Sequence, residues 1–175
     1  PPDDCWAPIQ RARIESRDPG ILRWPPHCNL FFPFVPESHA DILVPELAAV
    51  LADMPAFRVT LADFDFFNRK HSSVLFLRPV TSWILVGKDE NNYSEKITVL
   101  DKDPFQELHK RVAQVAPYCV RRERDGSVAP FVPHFTVIHT ANALDSVAAR
   151  DAILDWWKPV SWIVNEVHCI RRQGF

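Results

Sequence analysis

Two histidines in this chain of 175 residues stand in the same local setting. One is in Pro26-His27-Cys28-Asn29-Leu30 and the other in Pro133-His134-Phe135-Thr136-Val137. Each reads Pro-His-x-(Asn or Thr)-apolar. With an ordinary pKa of about 6.5, an imidazole takes or gives a proton at neutral pH. A pair of them suits phosphodiester cleavage, in which one oxygen loses a proton while the opposite oxygen gains one. Each positioned acid or base is typically worth about 10²–10⁴-fold in rate. The Thr136 hydroxyl and the Asn29 amide are donors that can meet phosphoryl oxygens as charge develops there.

The prolines say how these side chains are presented. Proline forces the residue before it into an extended conformation and is tolerated at a strand's first position. The spacing predicts a strand from His27 to about Phe34, with His27 and Asn29 on one face and Cys28 and Leu30 on the other. It likewise puts His134 and Thr136 on one face of a second strand, opposite Phe135 and Val137. A helix follows each histidine strand, and then an alternating strand. Phe57-x-Val59-x-Leu61-x-Asp63-Phe64 lies over Val160-x-Trp162-x-Val164-x-Glu166-Val167 with the same slip in phase, which a bulge near Ala62 and Asp63 would explain. The expectation is an α+β fold of two pseudo-symmetric lobes. Each is an antiparallel sheet with helices on its outer face, and the two histidine strands meet at a central cleft. The internal repeat covers about 22–79 and 129–175 of a single bilobal domain, 1–175, with an inserted hairpin at 81–101.

The remaining elements are punctuated by proline and polar residues. Asp3 or Asp4 reads as the cap of a first helix ending before the turn Asp18-Pro19-Gly20. Pro45 falls near the first turn of a second helix whose stripe is Leu43, Leu47, Val50, Leu51 and Met54. Val74 to Leu77 reads as the return strand after Phe57–Leu61. Asp103-Pro104-Phe105-Gln106 has the cap, the N1 proline and the N3 glutamine of a helix start, and Leu108, Val112 and Val115 form its inner stripe. A fourth helix is expected from about Asp145 to Trp157, and a last strand from Val160 to about Ile170.

Composition narrows the classes. A net charge of −2 argues against a large sequence-independent nucleic-acid surface but leaves room for a small phosphate-binding cleft. No apolar run spans a bilayer, and no n-region and h-region of a secretory signal is evident. Cys5, Cys28, Cys119 and Cys169 show no metal-binding spacing, so reduced thiols in a cytoplasmic or nuclear protein are the expectation. His139, five residues from His134, belongs on the opposite strand face by strict alternation, which argues against joint metal ligation. His39 and His109 read as solvated, and His168 as a sheet-surface residue. Arg121, Arg122 and Arg124 form a basic loop before the second motif; solvation is the default, RNA backbone contact the minority reading.

The doubled motif resembles that of the 2H phosphoesterases, the superfamily of LigT-like 2′-5′ RNA ligases and cyclic nucleotide phosphodiesterases. Arg23-Trp24-Pro25-Pro26-His27-Cys28-Asn29-Leu30 with Pro33-Phe34 is similar to the eukaryotic-type branch, and Pro133-His134-Phe135-Thr136-Val137 to the regular second motif. The resemblance implies chemistry on RNA termini or 2′,3′-cyclic phosphates that needs neither metal nor cofactor. It makes His27 and His134 the acid/base pair and Asn29 and Thr136 phosphate contacts. Asn29 departs from the commoner Thr or Ser and differs in reach. Family members usually carry a strand before the first helix and another at the end, so the chain reads as a trimmed domain or one whose edges are filled differently. Implied partners are RNA ends or small cyclic nucleotides, with no membrane, in a protein that is monomeric or part of a larger one. Two rivals stand beside this reading: a nucleotide- or RNA-end-binding module with weak or no turnover, and a two-histidine metal hydrolase, disfavoured because no carboxylate cluster accompanies the histidines.

Overall fold

A computed structural model of the protein describes residues 1–89, 92–98 and 103–170, of which 85–89 and 92–98 are described by their backbone course. Among the described residues the fold is α+β, with an antiparallel sheet and four α-helices. In chain order the elements are α1 (Trp6–Glu15), α2 (Ala40–Leu51), β1 (Phe57–Arg69), β2 (Ser72–Asp89), β3 (Asn92–Thr98), α3 (Pro104–Val115), β4 (Phe135–Thr140), α4 (Ala143–Leu154) and β5 (Val160–Val164). The chain divides into two compact units, neither of which is a consecutive half. The first holds residues 1–29, 58–80 and 133–163, and the second 30–57, 81–132 and 164–175. Both histidine motifs, His27 with Asn29 and His134 with Thr136, fall in the first.

In the first unit the strand order is β4-β2-β1-β5. The second motif behaves as its spacing predicts: Phe135 and Val137 are buried in the core, while Thr136 between them is half-buried. α1 and α4 pack against β4. Their Ile9, Ala12 and Ile153 join Val59, Leu61, Leu75 and Leu77 among the side chains with almost no exposure. Fully burying an aliphatic side chain contributes about 1.5–3 kcal/mol, so this cluster anchors the strand that delivers His134. A second tie holds α1 beside the residues following α4. The Arg11 guanidinium lies 3.8 Å from the Trp156 ring centre, and the Trp156 indole N–H donates to Glu15 at 2.8 Å.

In the second unit α2 and α3 pack together. α3 starts as the sequence predicts, with the Asp103 carboxylate accepting from the Gln106 N–H at 3.0 Å and Pro104 in the first turn. Phe105, Leu108 and Val112 form its buried side, and Phe57 meets Phe105 and Trp83 edge-on at 5.3 and 6.0 Å. Over the stretch expected as a hairpin, β2 continues to Asp89 and pairs antiparallel with β3 from Trp83↔Thr98 to Asp89↔Asn92. The tip at residues 90–91 and the segment 99–102 lie outside the described residues. No helix among the described residues is long and apolar enough to cross a membrane.

Five local expectations need correction. Residues 24–34 are not a strand. Pro25, Pro26 and Pro33 lack the N–H that a ladder uses, so the segment runs as extended coil and bends. The α1 cap is Cys5 without a side-chain hydrogen bond, because Asp3 and Asp4 are taken into a 3-10 turn that precedes it. Pro45 lies inside α2, which another 3-10 turn, Glu37–His39, leads into. β5 ends at Val164, six residues before Ile170. Finally, the register of β2 against β4 slips between Leu75 and Phe76, leaving Val137 as the extra residue of a bulge. Beyond it Val74 pairs with His139. Val74 shares a strand face with Phe76, so His139 returns to the face of His134 and Thr136.

Candidate active site

The first motif is placed by a buried ion pair. Arg13, on α1, and Asp18 are both 4% exposed, far below what isolated charges tolerate in a protein interior. The Arg13 Nε–H donates to Asp18 Oδ2 at 2.8 Å, and its other guanidinium nitrogen donates to Gln10 Oε1 at 2.9 Å and to the Trp24 carbonyl at 2.8 Å. Asp18 Oδ1 accepts from the Gly20 N–H at 3.0 Å, capping the 3-10 turn Pro19–Leu22. A side chain at position 20 would crowd this carboxylate, since a Cβ there would stand 3.2 and 3.3 Å from its two oxygens. The pair thus fixes both ends of the loop from Asp18 to Trp24, and Trp24 is followed directly by Pro25-Pro26-His27.

His27 then has one nitrogen occupied. Its Nδ1 lies 2.7 Å from the Pro25 carbonyl oxygen, an atom that only accepts, so Nδ1 carries the proton and donates. That leaves Nε2 as the nitrogen available to take or deliver a proton. Pro25 and Pro26 have fixed φ, which stiffens the short loop closing this bond. The Trp24 ring lies 6.0 Å from the imidazole, tilted at 51°. His27 is half-buried and Asn29 exposed.

The second motif is held differently. His134 immediately precedes β4, and its ring meets Phe67 of β1 edge-on at 5.0 Å and Phe76 of β2 at 5.5 Å. Phe67 and Phe76 stack on each other at 4.3 Å, which makes an apolar floor beneath the histidine. Thr136 pairs with Phe76 across the ladder and so stands on the same face.

One contact joins the motifs. The His134 backbone N–H donates to the Cys28 thiol, placing the residue between His27 and Asn29 against the main chain of the other histidine. Cys28 as a residue is half-buried, but desolvation of its thiol pushes it up to about 12, and this hydrogen bond offsets only part of the shift. Cys28 is a packing residue with a neutral thiol at physiological pH. It joins the two Pro-His segments of the motifs.

Other candidates fall elsewhere. A cavity of about 340 Å³ opens beside α1, β4 and α4, lined by Glu15, Ser16, Thr140, Asp145 and Ile153 among others, and none of the four motif residues reaches it. Among the described residues no three histidines, cysteines or carboxylates converge as a metal site. His134 and His139 share a face but are separated by five residues, roughly 16 Å of strand, well beyond joint ligation. Of the aromatic residues able to stack a base, Phe66 carries the Arg150 guanidinium at 5.4 Å, and Trp83 is core. His109 is not solvated: it is stacked between Phe31 and Phe131 at 4.4 and 4.2 Å, each at 8°. Sequence patterns passed over Arg13 and Asp18, although Asp18-Pro19-Gly20 marked the turn that this carboxylate caps.

The model of the 2′-5′ RNA ligase superfamily matches residues 1–174, nearly the whole chain. No curated protein sequence matches significantly. A match of that extent, over a chain with both histidine motifs in one compact unit, places the protein in a family: it belongs to the 2′-5′ RNA ligase superfamily, whose activity is of the phosphoesterase and RNA-ligase type.

Proposed function

We propose that the protein is a metal-independent phosphoesterase acting on RNA termini or 2′,3′-cyclic phosphates, with His27 and His134 as its general acid/base pair. In hydrolysis of a cyclic phosphate, one neutral imidazole takes the proton of the attacking water as the new P–O bond forms. The P–O bond to one ribose oxygen breaks, and the other histidine, as imidazolium, protonates that oxygen. Asn29 and Thr136 donate to the non-bridging oxygens as negative charge gathers on them. The observation that carries this reading is the Cys28–His134 contact, because it joins the two motifs through the residue between His27 and Asn29. The His27 tautomer supports it, since Nδ1 is engaged and Nε2 remains for proton transfer.

The test is turnover of a 2′,3′-cyclic nucleotide with chelator present throughout. The expected result is metal-free hydrolysis, reduced by about 10²-fold or more in either His27→Ala or His134→Ala. The double variant should be little worse than the worse single one, because both groups act on one transition state. Ligand binding without turnover would make the protein a nucleotide- or RNA-end-binding module instead, and activity lost to chelator would point to a metal hydrolase.

A further inference from the structure

We propose that Arg78 is a phosphate-binding residue of this same site, held in reserve by Asp63. The inference rests on reading His134 and Thr136 as the groups that handle the phosphate, and it adds a charge that neither motif supplies. Its basis is strand register. β2 and β4 pair antiparallel with Phe76 opposite Thr136 and Leu77 opposite Phe135. The ladder ends at that pair; continued by one residue into His134, which directly precedes β4, it brings Arg78 opposite the histidine. Side chains at i and i+2 of a strand share a face, so Arg78 follows Phe76 onto the face that Phe76 shares with His134.

A third strand agrees with this placement. Phe67 of β1 stacks on Phe76 and meets His134 on that face. Asp63, two alternations earlier on β1, stands 3.6 Å from the Arg78 guanidinium. That separation is longer than a hydrogen bond, and both side chains are open, 57% exposed for Arg78 and 60% for Asp63. The alternate residue, Leu77, is fully buried on the other side. Arg78 is therefore a cation at the edge of a face that presents two histidines, a hydroxyl and two aromatic rings, with the Asp63 and Asp65 carboxylates beside it on β1.

Chemistry says what such a group would take. A guanidinium presents N–H donors in a fixed fork that matches two oxygens of a phosphate. An exposed Arg–carboxylate pair is weak, so an incoming oxyanion can displace Asp63. Phe67 and Phe76 exclude water from one side of the face, which strengthens a charge-assisted bond formed there. The ligand class is a phosphate attached to a ribose, with Asp63 setting how readily Arg78 is released.

The experiment measures binding of adenosine 2′-monophosphate by calorimetry, alongside turnover of a 2′,3′-cyclic nucleotide. Arg78→Gln should raise the Kd roughly tenfold, the loss of one charge-assisted contact. Arg78→Lys should recover part of that, since charge remains and the fork does not. Asp63→Asn should tighten binding about twofold, and this gain should vanish in the Arg78→Gln background. Arg78 is exposed, and melting curves check that each variant folds. A Kd for Arg78→Gln within twofold of wild type overturns the proposal, as does an Asp63→Asn effect that persists without Arg78. A wild-type protein that neither binds the nucleotide nor turns over the cyclic phosphate overturns the phosphoesterase reading as well. An active wild type with an indifferent Arg78 variant overturns the role of Arg78 alone.

Discussion

Replacing Asp18 with alanine strips a buried guanidinium of its charge partner, and the protein should lose a large part of its stability. Asp18 and Arg13 have side chains 3% and 5% exposed, joined at 2.8 Å. Deleting one member of such a pair typically costs about 3–5 kcal/mol, because the other charge stays buried without compensation. Arg13 would retain Gln10 Oε1 and the Trp24 carbonyl, which holds the effect toward the lower half of that range, while the Gly20 N–H would lose its cap. For a chain of this size each kcal/mol moves the melting temperature by about 2–4 °C, so Asp18→Ala should melt roughly 6–15 °C lower. Denaturant unfolding gives the free energy, and a thermal melt gives the shift. A loss under about 1 kcal/mol would refute the claim that this pair is buried and dry. The pair Arg13→Met with Asp18→Leu separates stability from function. Apolar replacement of both partners should restore most of the stability. It leaves the Trp24 carbonyl without its donor, so cyclic-nucleotide turnover should remain depressed well below the melting point, because the segment leading to His27 is no longer held.

Turnover should fall on both sides of a pH optimum, since acid protonates the base of the histidine pair and alkali strips its acid; a plateau with no alkaline limb would count against the acid half. The Cys28 thiol, raised to about 12 chiefly by burial, should resist iodoacetamide at pH 8, where only about one part in 10⁴ is thiolate, while the exposed Cys169 labels readily; equal labelling by mass spectrometry would show that Cys28 is not desolvated. His109 has its pKa lowered by desolvation between Phe31 and Phe131, so its contribution to stability is complete above the unfolded value of about 6.5 and is lost as the pH falls from there toward the lower folded value. His109→Phe should flatten that part of the stability–pH curve, and an unchanged slope would place the titration elsewhere.

The features legible in the sequence are those set by near neighbours along the chain. The Asp103 cap on Gln106, the turn at Asp18-Pro19-Gly20, the phase that buries Phe135 and Val137, and each copy of the Pro-His motif are each written within a few neighbouring residues. Backbone geometry fixes such relations whatever the rest of the chain does. The first motif shows where local rules conflict. Its alternation suggested a strand, but three prolines deny it a ladder, and the histidine is aimed instead by a bond to the carbonyl two residues back.

Tertiary structure decided the rest. The Val137 bulge returns His139 to the His134 face, a reversal that depends on how β4 registers against β2. Continued one step past Leu77 and Phe135, the same register brings Arg78 opposite His134, and no spacing in the sequence relates residues so far apart. His109 had the pattern of a solvated helix residue until Phe31 and Phe131 closed on either side of it. Asp18 read only as part of a turn, yet the fold buries it with Arg13, whose guanidinium also reaches the Trp24 carbonyl. By itself the sequence determined the two histidine motifs, the family resemblance they carry and the local elements around most of them. Which charges are buried, which rings stack and which strand positions face one another follow from long-range packing, where each contact depends on many side chains settling together.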